Sequence, residues 1–175
     1  MTAPSYHDAV RRSRVLDVLA PFDPHVVGTL PLGLALPNSD IDIVCYAEDF
    51  DAMADLIWTA FRSADGFALY QWSASGRPLI AKFEAEGWPF EIFASAEPII
   101  KQSGWQHFRV EQRLLDLAGF ALRDQIMVLR MQGMKTEPAF ALALGLNGDP
   151  HEAVSDLFGL SDPELAEVIY RTPEL

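Results

Sequence analysis

Asp40 and Asp42 stand one residue apart in "SDIDIVCY", at the head of an apolar run. In a strand, residues i and i+2 share a face. The two carboxylates therefore point the same way, with Cα atoms roughly 6–7 Å apart from the strand rise. Ile41 and Ile43 point to the other face and can enter a core. Carboxylates beside buried strand residues are costly unless their charge is offset. At this spacing they can converge on a hard divalent cation such as Mg²⁺, which prefers oxygen ligands. A third carboxylate on a neighbouring strand would complete such a site. Glu91 in "PFEIF", between Phe90 and Ile92, offers one, and Glu84 and Glu86 in "KFEAEGW" compete for the place. Solvated edge residues or a strand cap would account for the aspartate pair taken alone.

Charge frames the chemistry. The 175-residue chain carries a net charge of −12, which argues against a broad duplex-DNA surface, because phosphates attract cationic faces. The cations concentrate in residues 101–135. Lys101, Arg109, Arg113, Arg123, Arg130 and Lys135 stand there against Glu111, Asp116 and Asp124. Either this segment is a solvated helix surface or some of it faces an anionic ligand. "HFRVEQR" sets His107 four residues before Glu111 and Arg109 four before Arg113, so each pair shares a helix face. Lys135 precedes a helix start at Thr136, where backbone N–H groups favour anions. Thr136 itself reads as the N-cap. Trp58, Trp72, Trp88 and Trp105 read as core or rim residues.

The elements that must position these groups follow from periodicity and punctuation. A helix is expected over 5–20, a strand over 25–30 and a loop over 31–39. A strand at 40–46 and a helix at 49–63 come next. Strands at 66–72, 78–86 and 89–95 follow, the last two as a hairpin turning at Gly87–Trp88. Helices follow at 103–131 (broken near Gly119), 136–144, 149–158 and 161–170. This is an α+β chain: an α/β core over 1–97 and a helical region over 98–175 packed on it, or both as one compact domain. The single cysteine, Cys45, excludes an internal disulfide and reads as a buried, inert thiol. No apolar run reaches the length of a membrane helix, and residues 1–16 lack a signal-peptide core. A soluble cytoplasmic protein with no membrane partner is expected, its oligomeric state open.

The pattern Val27-Gly28-Thr29, ten residues, then Asp40-Ile41-Asp42-Ile43 resembles the signature of the polymerase-beta-type nucleotidyltransferase superfamily. "GTLPLGLALPNSDIDIVCY", "EIF", "HFRVEQRLL" and "GMKTEPAFALALGLNGDP" look more closely like a family of small, mostly bacterial proteins classed as a nucleotidyltransferase-like domain of unknown function. The resemblance implies a mixed sheet flanked by helices. It implies two Mg²⁺ ions, with Mn²⁺ as a substitute, held by Asp40, Asp42 and Glu91 as the catalytic and metal-binding carboxylates. It implies a nucleoside triphosphate as partner, met by Gly28, Thr29 and Ser39. Lys135, Arg109 and Arg113 are the candidate cations for its phosphates. The implied reaction moves a nucleoside monophosphate to a hydroxyl acceptor and releases pyrophosphate. The acceptor is left open among a small molecule, a protein side chain and an RNA end, and the acidic surface makes a small molecule or protein more expected than a long nucleic acid. The rival reading is a catalytically inactive member that binds a nucleotide or a protein. Thr29 stands where serine is commoner in the superfamily, and Pro31 and Pro37 remove two backbone donors from the intervening loop.

Overall fold

The computed structural model describes residues 4–73 and 76–171. The chain forms two units, Met1–Leu30 with Ser39–Gln102, and Pro31–Asn38 with Ser103–Leu175.

The first unit begins with helix α1 (Tyr6–Ser13), capped by Ser5, whose hydroxyl accepts from the Asp8 N–H. Arg14 adopts φ 55° and ends it, so the single helix expected over 5–20 is instead two. α2 (Val15–Leu19) follows and tightens into a 3₁₀ turn at Pro21. Strand β1 (His25–Val27) is shorter than the expected strand. Gly28 has φ 77° and diverts the chain into a single helical turn, α3 (Thr29–Leu32), where a strand and loop were expected. β2 (Ile41–Tyr46) is followed by α4 (Phe50–Phe61), capped by Asp49. β3 (Asp65–Gln71), β4 (Leu79–Ala85) and β5 (Trp88–Ser95) complete the sheet.

The five strands lie in the order β1-β2-β5-β4-β3. β2 and β5 are parallel and the other pairs antiparallel. The β4–β5 turn is Glu86–Gly87, with φ 54° and 78°, and Trp88 already lies in the strand. Two consecutive positive φ values are what a two-residue type I′ hairpin requires. The turn therefore sits one residue earlier than expected, because Gly87 serves as the second turn residue rather than the first.

One face of the sheet is a run of apolar rows. Ile41, Phe90 and Phe83 stand abreast, then Ile43, Ile92 and Ala81, then Cys45, Ala94 and Leu79, all buried. α4 lies against β3 and β4 on this unit. Its Phe61 stacks on Phe83 at 4.3 Å between ring centroids, and Phe83 stacks on Phe90 at 5.1 Å. Phe83 is stacked against two other rings, so truncation removes both contacts and leaves a cavity beside them. Phe83→Ala should lower the unfolding free energy by about 3–5 kcal/mol in a denaturant titration, and Phe83→Leu by much less.

The second unit is helical. α5 (Ser103–Ala118) and α6 (Phe120–Met131) meet at Gly119, whose φ of 68° breaks the long stretch where the sequence suggested. α7 (Thr136–Ala143), α8 (Pro150–Asp156) and α9 (Asp162–Tyr170) follow. Asp149 caps α8 through the His151 and Glu152 N–H groups, and Ser161 with Glu164 forms a capping box on α9. Arg130, almost fully buried, donates to the Leu34 carbonyl oxygen at 3.0 Å and to Thr136 Oγ1. Lys135 occupies the N-cap position of α7, so the expected N-cap role of Thr136 does not hold. Its hydroxyl is an acceptor for Arg130 instead.

Among the described residues, no helix is long and apolar enough to cross a membrane. Trp58 and Trp72 are exposed, while Trp88 donates its indole N–H to the Pro4 carbonyl oxygen at 2.8 Å.

Candidate functional site

Opposite the apolar rows, the same sheet carries a polar one. Val27 on β1, Asp42 on β2, Glu91 on β5, Lys82 on β4 and Ala68 on β3 are register partners in sequence across five strands. Register partners share a face, and adjacent strands lie about 4.8 Å apart. Asp42 and Glu91 are thus side by side on parallel strands, and Asp40, two residues before Asp42, precedes β2. The two flanking glutamates stand elsewhere. Glu84 lies opposite Pro89 and Asp65. Glu86 is in the hairpin turn, exposed, with Arg12 at 3.6 Å. Of the three candidates, Glu91 is the one beside Asp42.

The electrostatics show how closely the acidic groups act on one another. Burial pushes the Asp42 carboxyl up to about 7. Asp40 and Glu91 push it the same way, and Lys82 opposes them. Lys82 makes a direct ion pair with Glu91, each side chain partly open to solvent. Its ammonium is held above the ordinary lysine range, first by the Glu91 hydrogen bond. Lys82 was not among the residues singled out in the sequence. Its signal was the one cation in an otherwise apolar strand run, "PLIAKF".

Gly28 closes the site from β1. A Cβ at residue 28 would collide with Asp42 Oδ2 and lie 3.1 Å from Asp42 Cγ. Both the positive φ and this close approach exclude a side chain there. Thr29 follows at once, and its hydroxyl donates to Ser39 Oγ at 3.3 Å. Thr29 directly follows Gly28 and Ser39 directly precedes Asp40, so this contact joins the glycine to the start of the aspartate pair. Cys45 lies on the opposite, apolar face, and burial raises its thiol to about 12, which makes it inert.

Of the cations of 101–135, Lys101 belongs to the sheet-bearing unit and the other five to the helical unit. Arg113 donates to Asp162 Oδ1 at 2.9 and 2.6 Å and to the Leu160 carbonyl oxygen at 2.7 Å, tying α5 to the start of α9. Arg109 donates to Gln112 at 2.9 Å and stands 5.6 Å from the Trp105 ring centre. Lys135 is exposed. Arg123 donates to the Leu32 carbonyl oxygen.

This architecture is shared with polymerase-beta-type nucleotidyltransferases of solved structure. Over 83% of its length the chain matches Cid1, an RNA terminal uridylyl transferase, with TM-score 0.57 and 15% identity, covering 50% of that chain. A Cid1 structure bound to MgATP matches with TM-score 0.55 and 17% identity over 82% of this chain and 43% of that one. The GLD-2/RNP-8 complex gives TM-score 0.53 and 12% identity over 94% and 73%. The chain spans about 40–50% of the length of the Cid1 chains. At these identities the likeness is one of fold. No curated protein matches the sequence. The family model described as DUF4269, a domain of unknown function, matches residues 8–157, and the protein belongs to that family.

Proposed function

We propose that this protein is a metal-dependent nucleotidyltransferase. It would move a nucleoside monophosphate from a nucleoside triphosphate to a hydroxyl acceptor. The observation that carries this reading is the in-register pair Asp42–Glu91 with Asp40 two residues upstream, on the polar face of a nucleotidyltransferase-type sheet. The donor set is all oxygen, which suits Mg²⁺ or Mn²⁺. The Asp42 carboxyl is raised first by burial and then by Asp40 and Glu91, and a cation bound beside it would offset both. Asp40, Asp42 and Glu91 would hold the metal, which when bound supplies charge neutralisation at the α-phosphate and a more acidic acceptor hydroxyl.

In the transfer, the acceptor oxygen forms a bond to the α-phosphorus and the bond to the bridging oxygen breaks. Pyrophosphate leaves, and the acceptor proton passes to a carboxylate of the row or to water. Gly28 admits phosphate close to the backbone, and Thr29 and Ser39 present hydroxyls to it. Catalysis would come from positioning and electrostatics. This reading rests on the residues of the sheet-bearing unit, with Arg109, Arg113 and Lys135 proposed as further cations for the triphosphate. The Cid1 relatives act on RNA, but a net charge of −12 favours a small-molecule or protein hydroxyl as acceptor here.

The Lys82–Glu91 ion pair favours a second reading. In it Lys82 stands in for a cation, and the site binds nucleotide without turnover. Thermal shift with ATP, GTP, CTP and UTP, each with and without Mg²⁺, tests the shared premise. A nucleotide shift that requires Mg²⁺ and exceeds the shift Mg²⁺ gives alone supports the proposed enzyme. A nucleotide shift indifferent to Mg²⁺ supports the binding module, and no shift with any of the four contradicts both.

A further inference from the structure

His107, Glu137 and His151 come from three helices of the helical unit, α5, the first turn of α7 and the first turn of α8. One nitrogen from each histidine and one Glu137 oxygen lie within 4.8 Å of one another. The ring of His107 is oriented by its other nitrogen. Nε2 lies 3.0 Å from the His151 carbonyl oxygen and 2.6 Å from Ser155 Oγ. A carbonyl can only accept, so Nε2 carries the hydrogen and donates it. That takes Nε2 out of use as a base toward Ser155.

Nδ1 of His107 is left facing Glu137 Oε1 at 3.5 Å, and Nδ1 of His151 faces the same oxygen at 3.8 Å. A carboxylate also only accepts. Lone pairs facing it need a positive charge between them, either a proton or a metal. Both separations exceed a normal N–H···O bond, which centres on about 2.9–3.0 Å. They approach the roughly 3.4 Å edge of a tetrahedron whose metal–ligand bonds are about 2.0–2.2 Å. Glu111 stands one turn beyond His107 on the same face of α5. It is buried, and its Oε1 has no hydrogen-bond partner among the described residues. Burial, then the neighbouring Glu137, raises its carboxyl well above the usual carboxylate range, and Arg130 opposes them. His151 is half exposed, which leaves a path for an ion.

We infer that His107, Glu137 and His151 form a binding site for a transition-metal ion of the Zn²⁺ class, with a fourth position open to water or another ligand. Two imidazoles and one carboxylate select Zn²⁺, Co²⁺ or Ni²⁺ over Mg²⁺. The Nε2 hydrogen bonds of His107 are the outer contacts that such a ligand carries. An ion here would pin the starts of α7 and α8 to α5. The site is separate from the carboxylate row, is built wholly within the helical unit, and does not depend on nucleotidyl transfer.

The test uses the full chain stripped with EDTA. Zn²⁺ uptake is measured by calorimetry, and Co²⁺ uptake by visible absorption, on the wild type and on His151→Ala, Glu137→Gln and Asp42→Asn. His151 is half exposed, so His151→Ala should fold, and circular dichroism and melting in EDTA verify that it does. One equivalent of Zn²⁺ should bind the wild type, with a Co²⁺ spectrum typical of low coordination number. Loss of a ligand should weaken binding by at least about 100-fold in His151→Ala and Glu137→Gln, since even outer contacts are worth 10–100-fold. With excess Mg²⁺ present to occupy the carboxylate row, Asp42→Asn should retain the same tight Zn²⁺ equivalent as the wild type. Absence of stoichiometric uptake would overturn the site. So would uptake that survives both ligand variants, or uptake that disappears only in Asp42→Asn.

Discussion

Asp42→Asn will make the metal-free protein more stable at pH 8 and will remove its stabilisation by Mg²⁺. The Asp42 carboxyl titrates near 7 in the folded chain because burial, then Asp40 and Glu91, penalise its charge. An unfolded aspartate titrates near 3.9. Between those values the native state holds a proton that the unfolded state has lost. Stability is therefore full below about pH 4 and falls as pH rises through 7. A shift of this size bounds the loss at roughly 4 kcal/mol, reached above pH 7. Asparagine keeps the shape without the charge, so the variant should gain about 1–4 kcal/mol at pH 8 and show a flatter profile between pH 4 and 7. Metal ligation requires the ionised form. Wild-type stabilisation by Mg²⁺ should accordingly grow from pH 6 to pH 8, and the variant should show none at either. Chemical denaturation across that range, with and without Mg²⁺, reads both effects. A variant as responsive to Mg²⁺ as the wild type would remove Asp42 from the ligand set.

The second large effect is expected at Gly28. An alanine there would hold a left-handed backbone angle, costing roughly 1–2 kcal/mol, and its methyl would meet the Asp42 carboxylate. Relief would come by turning Asp42 away from Glu91, so Gly28→Ala should lose metal-dependent stabilisation along with stability. The two causes separate in a double-mutant cycle. In an Asp42→Ala background the carboxylate collision is absent and only a 3.3 Å approach to the residue-42 Cβ remains, so Gly28→Ala should cost much less than in the wild type, little beyond the backbone strain. An equal cost in both backgrounds would show that the close approach does not matter.

Much of this was legible in residue order because the sheet obeys period two. Ile41 and Ile43 against Asp40 and Asp42, and Phe90 and Ile92 against Glu91, each told core from open face without any partner strand. What alternation could not supply was register. A hairpin turning at Gly87–Trp88 would set Lys82 opposite Phe93. The actual turn at Glu86–Gly87 sets it opposite Glu91, so a one-residue error in the turn hid the ion pair. The break at Arg14 was also illegible, because nothing in "RRSRVL" marks a left-handed arginine. The His107–Glu137–His151 group depends on how α5, α7 and α8 pack, and helical spacing related His107 to Glu111 alone. Thr136 was read from local capping preference, but the buried Arg130 claimed its hydroxyl.

The most direct test of the proposed enzyme is pyrophosphate release, measured with each of the four nucleoside triphosphates, Mg²⁺ and pooled small-molecule and protein acceptors. The account predicts Mg²⁺-dependent release by the wild type that falls at least about 10³-fold in Asp42→Asn and in Glu91→Gln, as loss of a group acting at the reacting phosphate does. Release that persists in both variants, or a wild type that binds nucleotide and Mg²⁺ together yet releases no pyrophosphate with any acceptor pool, would contradict it.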